Sequence, residues 1–305
     1  MSAVIIHQII IFFAVMLMGC LAGKLGIIKK ESLPDLASII SKILLPALCF
    51  YASYSGVTTK LLIDNVVVVV LAIAFYVFIA VSMCILSKLL RLNSDKSRIF
   101  QLAFVFGNTG FIGMPLLLAI FPEVGGLYLV LFSIPDQLLF WTYGVYLATA
   151  SGEKADIKAK SFLNPNVIAL CLALCFAVLG IKLPTVVVDI FRTVKDASCA
   201  VSLLYLGALF CYSDWKSAFK TKELYFGIGF KMIIVPLVLG LALKQTALPQ
   251  SMICSMIILM SLPTMTVVPM IAEMRGGNGA YATGITVATL AASIVTIPLV
   301  SLLIM

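Results

Sequence analysis

The sequence predicts an all-α membrane protein of ten transmembrane helices, built as two inverted five-helix repeats. Three observations carry that prediction. The 305 residues are 62% hydrophobic and only 11% charged, whereas a soluble domain carries about 25% charged residues. The basic residues gather in alternate connections between apolar stretches. Two of those stretches are interrupted by glycine and proline at corresponding positions of the two halves.

A mean hydropathy of +1.16 leaves too little polar surface to cover a soluble molecule of this length. This excludes a soluble enzyme, a disordered chain and a nucleic-acid-binding domain, despite a net charge of +8. A spanning helix needs roughly 20 mostly apolar residues. Ten stretches meet that need: 3–23, 33–56, 65–87, 98–121, 126–149, 164–181, 188–212, 223–243, 250–274 and 279–304. The first lacks basic residues ahead of its apolar run and a small-residue cleavage site, so it reads as a retained helix. The eight cysteines all fall inside apolar stretches. With no CxxC and no neighbouring histidine, they read as packing residues rather than a metal site.

Basic residues orient the helices, because cytoplasmic loops are enriched in Lys and Arg. Fourteen of the 21 lie in alternate connections: Lys24, Lys29, Lys30, Lys88, Arg91, Lys96, Arg98, Lys154, Lys158, Lys160, Lys216, Lys220, Lys222 and Arg275. Those connections are expected in the cytoplasm of a multi-pass cell-membrane protein with both termini outside. The same pattern divides the chain into a first repeat over 1–150, a cytoplasmic connection over 151–163 and a second repeat over 164–305. Five spans in each half give the halves opposite orientations.

Fragments of the repeat survive in sequence. Pro46-Ala47-Leu48-Cys49-Phe50-Tyr51 and Gly207-Ala208-Leu209-Phe210-Cys211-Tyr212 share three of six residues. Pro115 precedes Tyr128 and Pro269 precedes Tyr281 by nearly equal intervals, with glycines between. Inverted repeats are characteristic of secondary transporters, whose sites lie near the bilayer midplane.

The fourth span holds Gly107-Asn108-Thr109-Gly110-Phe111-Ile112-Gly113-Met114-Pro115 and the ninth Ser261-Leu262-Pro263-Thr264-Met265-Thr266-Val267-Val268-Pro269. Glycine and proline in mid-span disfavour continuous helix. Backbone freed in this way must be satisfied by protein or by a water-filled cavity. Each break creates a half-helix N-terminus with unpaired N–H groups and partial positive charge, which attracts anions. Asn108, Thr109, Gly110, Gly113, Pro115, Pro263, Thr264 and Thr266 are therefore the expected substrate-binding set. The competing reading is a pair of proline kinks that only shape packing.

The element Asn108-Thr109-Gly110-Phe111-Ile112-Gly113-Met114-Pro115 resembles the fourth-helix signature of the auxin efflux carrier family, which includes bacterial carriers of malate and malonate. Leu44-Leu45-Pro46-Ala47, Phe140-Trp141-Thr142-Tyr143-Gly144, Ile271-Ala272-Glu273 and Val295-Thr296-Ile297-Pro298-Leu299 fit as well. The resemblance implies that broken helices 4 and 9 cross, with Asn108, Pro115 and Pro263 at the crossover. It also implies a scaffold of helices 1, 2, 6 and 7, a transport unit of helices 3–5 and 8–10, and a homodimer through the scaffold. Ser202-Leu203-Leu204-Tyr205-Leu206-Gly207 lacks a proline that members often carry, and the long loop of plant members is missing. Auxin itself is thus not the expected substrate.

Ionisable residues inside spans are costly and mark pathways by default. Asp136, Lys231 and Lys42 are the three candidates for ion coupling or support. An Asp136–Lys231 pair and snorkelling lysines are the structural alternatives. Gly19 and Gly23 have the spacing of a close helix contact, including one between copies. No metal or organic cofactor is expected, only H⁺ or Na⁺ as a coupling ion. The expected function is ion-coupled secondary transport of a small organic anion, a mono- or dicarboxylate, by alternating access. A channel or a sensor for a small anion is the alternative. A membrane-embedded enzyme would need paired catalytic groups, and the chain has one histidine and no HExxH.

Overall fold

The computed structural model describes residues 2–55, 58–150, 165–212 and 221–304. The connection 151–163 with Lys154, Lys158 and Lys160, and the residues Lys216 and Lys220, lie outside the described residues. Among the described residues the chain is helical and forms no sheet; the sole β-bridge pairs Gly107 with Thr264.

The helices in chain order are α1 (Ser2–Lys24), α2 (Lys30–Tyr54), α3 (Thr59–Asp64), α4 (Val67–Leu89), α5 (Ser94–Val105), α6 (Thr109–Ile120) and α7 (125–148). There follow α8 (Pro165–Leu179), α9 (Thr185–Tyr212), α10 (Lys222–Leu243), α11 (Gln250–Ser261), α12 (Val268–Met274) and α13 (Gly279–Ile304). Five of them, α2, α4, α9, α10 and α13, are long and apolar enough to cross a membrane.

Their outer faces are apolar. On α4, Val68, Ala72, Phe75, Tyr76, Ile79 and Met83 are buried, while Val70, Ile73, Val77, Val81 and Ile85 are exposed. One face packs on protein, and the opposite one would be costly in water but suits hydrocarbon. Asparagine caps fix where several helices begin. Asn93 accepts the Lys96 N–H at 2.9 Å ahead of α5, and Asn278 accepts the Tyr281 N–H at 2.9 Å at the start of α13.

Packing follows two groups. Helix α1 lies along α9, and the end of α2 lies against α8 and α9. Helix α4 packs on α5 and α7, α10 on α11 and α13, and α12 on α13. The α1–α9 contact depends on glycine. A Cβ on Gly19 would run into the carbonyl of Leu204, and one on Gly207 into the carbonyl of Met16. Gly23 faces the Cys211 side chain. The Gly19–Gly23 pair is therefore spent inside one chain, against α9, rather than on a second copy.

Four helices contain a π turn: 40–44 in α2, 109–113 in α6, 140–144 in α7 and 228–234 in α10. Three have one cause. Proline has no N–H, so Pro46, Pro115 and Pro236 leave the carbonyls of Lys42, Phe111 and Met232 without an α-helical donor. The ladder widens there to recover partners. In α7 the Thr142 hydroxyl donates to the carbonyls of Leu138 at 2.6 Å and Leu139 at 3.3 Å, competing with the backbone ladder. Such turns recur at functional sites, and here they carry Lys42, Thr109, Trp141 and Lys231.

Candidate functional site

The two interrupted segments, 106–108 and 262–267, run antiparallel and complete each other's backbone. Asn108 donates its N–H to the Pro263 carbonyl at 2.8 Å, and Met265 donates to the Phe106 carbonyl at 3.1 Å. Thr264 N–H goes to the hydroxyl of Thr289 on α13 at 3.2 Å. Each break thus supplies the partners that the other lost, as non-helical backbone at membrane depth requires. Proline suits position 263, because its carbonyl accepts while its nitrogen needs no partner.

Asn108 caps α6. Its side-chain oxygen accepts the Phe111 N–H at 3.2 Å, and its carbonyl takes the N–H groups of Ile112 and Gly113 at 3.2 and 3.0 Å. Its amide nitrogen is buried and finds no partner among the described residues. The hydroxyls of Thr264 and Thr266 are likewise buried and unpartnered. Unpaired buried donors and acceptors are costly, and their clustering at one crossing is unusual.

A cavity of about 480 Å³ opens beside the first break. Asn108, Thr109 and Gly110 line it from α6 and its approach, and Lys42 with Ser38 and Ser41 line it from α2. Ser133, Gln137 and Trp141 contribute from α7, and Arg275 contributes from the end of α12. Its charged lining is two cations, Lys42 and Arg275, with no carboxylate among the described residues. A second cavity of about 240 Å³ holds Pro115, Lys195, Asp196 and Cys199. The two share Leu48, Gly110, Phe111 and Met114 as a common wall.

Asp136 is fully buried one layer behind the large cavity. Its Oδ1 accepts the Tyr76 hydroxyl, and its Oδ2 accepts Thr109 Oγ1–H at 3.2 Å and Gln137 Nε2–H at 3.3 Å. Lys231 is 2% exposed, and its Nζ donates to the Leu262 carbonyl beside Gly107. An ammonium there meets the C-terminal end of α11, where helix carbonyls gather negative charge. Asp136 and Lys231 are close enough to feel each other's charge. No ion pair joins them among the described residues, so the direct pair is not the arrangement found.

Of the expected residues, Asn108, Thr109, Gly110 and Lys42 reach the large cavity. Pro263, Thr264 and Thr266 lie at the crossing but turn away from it, and the second break presents Met265 and Val267 instead. Gly113 packs against Leu262 and Leu259, and Pro115 faces the smaller cavity. Sequence reasoning missed Tyr76, whose only signal is a tyrosine in a Val-Ala-Phe run. It also left Arg275 out of the candidate site.

The comparisons with known proteins agree with one another. The family model described as membrane transport protein matches residues 4–301. The uncharacterized transporter MJ1031 of Methanocaldococcus jannaschii is 23% identical over 208 residues, covering 65% of this chain and 67% of its own. Together with the interlocked breaks, a match over nearly the whole chain settles the family. The chain belongs to the auxin efflux carrier family of membrane transport proteins.

Proposed function

We propose that the protein is a secondary active carrier of a small organic anion, a mono- or dicarboxylate, working by alternating access and driven by H⁺ or Na⁺. One observation carries the reading. Asn108, whose amide nitrogen finds no partner among the described residues, and the α6 N-terminus line a cavity whose charged lining among the described residues is two cations. Partial positive charge and an unpartnered amide N–H, with no carboxylate among the described lining residues, favour an anion. Helix α12 has seven residues, just under two turns, and its lead-in faces the cavity with Met265 and Val267, so the anion seat rests mainly on the first break.

In this proposal the two inverted repeats, 1–150 and 164–305, are joined by a cytoplasmic connection at 151–163. Both termini lie outside a cell membrane. The packing of α1 on α9 and of α2 on α8 supports a fixed scaffold of spans 1, 2, 6 and 7. The crossing and its neighbours, spans 3–5 and 8–10, form the moving unit. Scaffold surfaces not used by the α1–α9 contact are where a homodimer would form. The wall shared by the two cavities is the natural barrier between opposite faces.

Counterflow in proteoliposomes tests the reading. A carrier loaded with unlabelled carboxylate accumulates the labelled one transiently, and flux saturates. A channel shows neither effect, and a sensor binds without flux. A panel of mono- and dicarboxylates, with pH and sodium gradients applied separately, identifies substrate and driving ion together.

A further inference from the structure

The partners of Asp136 leave little freedom in where a proton can go. Oδ1 takes the Tyr76 hydroxyl. Oδ2 faces two groups, Thr109 Oγ1 and Gln137 Nε2. The Gln137 amide is oriented, because its Oε1 accepts Trp141 Nε1–H at 3.3 Å, and an indole N–H can only donate. Gln137 therefore presents N–H to Asp136 and offers no acceptor. If Oδ2 takes a proton, Thr109 Oγ1 is the one acceptor beside it.

Thr109 has a single hydroxyl hydrogen and lines the large cavity. While Asp136 is ionised, that hydrogen is committed to Oδ2, and Thr109 turns lone pairs towards the cavity. An anion there meets no donor from Thr109 and a negative charge behind it. Once Oδ2 is protonated, the carboxyl donates to Thr109, whose hydrogen is released towards the cavity. The ionisable groups around Asp136 are Tyr76 from α4, Cys49 from α2 and Lys231 from α10. Of the three, Cys49 also lines the large cavity.

We infer that Asp136 is a positioning residue that acts through Thr109: its protonation turns the Thr109 hydroxyl from acceptor to donor, so that one proton and one anion bind together. This rests on the anion-carrier reading and makes it proton symport. The proton enters on Asp136 Oδ2 from the face where the anion binds and leaves when the anion leaves on the other. Linkage is reciprocal: a bound anion favours the protonated carboxyl by the factor by which the proton favours the anion.

The test uses labelled malonate and a panel of other small carboxylates with purified protein in proteoliposomes. The half-saturating concentration in wild-type counterflow should climb with pH, approaching about ten-fold per unit. Asp136→Asn offers Thr109 an amide N–H, as the protonated carboxyl does. It should exchange substrate with little pH dependence and fail to accumulate it under a pH gradient. Thr109→Ser keeps a hydroxyl, so it should retain the wild-type pH slope whatever its absolute affinity. Thr109→Val should bind roughly ten-fold or more weakly at low pH and flatten the profile. A wild-type pH slope in Asp136→Asn, or a wild-type profile in Thr109→Val, overturns the relay while leaving the carrier reading intact. No counterflow from well-folded wild type with any anion of the panel overturns both.

Discussion

Asn108 and Pro263 are joined by a backbone hydrogen bond of 2.8 Å between two helices that are each broken at that point. The bond turns two local defects into one structure. It also holds the Asn108 side chain at the mouth of α6, where its oxygen is occupied by Phe111 and its nitrogen is free.

Asn108→Ala removes that free donor and the cap together. Loss of an N-cap costs about 0.5–2 kcal/mol, well within what the crossing can absorb, because the 108–263 bond is made by backbone. Uptake is expected to fall by roughly ten-fold or more, with membrane level and topology unchanged. Wild-type uptake in a well-expressed variant would remove Asn108 from the anion site.

Lys42 lies on a π turn and lines the same cavity as Asn108. Lys42→Gln keeps a polar, slightly shorter side chain but removes the cation. Its Michaelis constant should rise more for dicarboxylates than for monocarboxylates, with maximal flux little changed. An equal effect on both classes would mean that Lys42 attracts anions generally and does not seat a second carboxylate.

Gly207→Val places a side chain against the carbonyl of Met16. Overpacking costs typically about 1–3 kcal/mol, and a backbone contact cannot yield as a side chain does. The thermal unfolding midpoint in detergent should drop clearly. Gly229→Ala is the control, since a Cβ there meets nothing within 4 Å; it should be neutral or slightly stabilising. Equal midpoints for the two variants would contradict the described α1–α9 contact.

Two native cysteines report on the shared wall. Cys49 lines the large cavity and Cys199 the small one. In single-cysteine variants, an impermeant thiol reagent should reach Cys49 from one face of the membrane and Cys199 from the other. Substrate should alter the two rates in opposite directions. Labelling of both from the same face would deny that the cavities lie on opposite sides.

The crossing was legible in sequence because glycine and proline in mid-span admit few explanations. The first break was read residue by residue, and Asn108, Thr109 and Gly110 do line the cavity. The second was read less well. Thr264 and Thr266 alternate with Met265 and Val267, and sequence does not say which of two alternating faces an extended segment turns to a cavity. Asp136 and Lys231 stood out as charges in apolar runs. Their partners did not, since Tyr76 and the Leu262 carbonyl are unremarkable until helices are packed. Gly19 and Gly23 showed a close contact without showing that α9 was its other side. The π turns follow from Pro46, Pro115 and Pro236, yet proline alone does not distinguish a widened turn from a kink.

The interlocking of the two breaks bears on how the chain is made. Phe106, Gly107 and Asn108 are synthesised well over a hundred residues before Pro263 and Met265. During that interval their backbone groups lack the partners that complete them, and exposure to lipid would cost several kcal/mol for each group. The first half must therefore stay hydrated or sheltered by the insertion machinery until the ninth span arrives. Biogenesis, like function, waits on the second half, and a truncated first half should be a substrate for membrane quality control rather than a stable module.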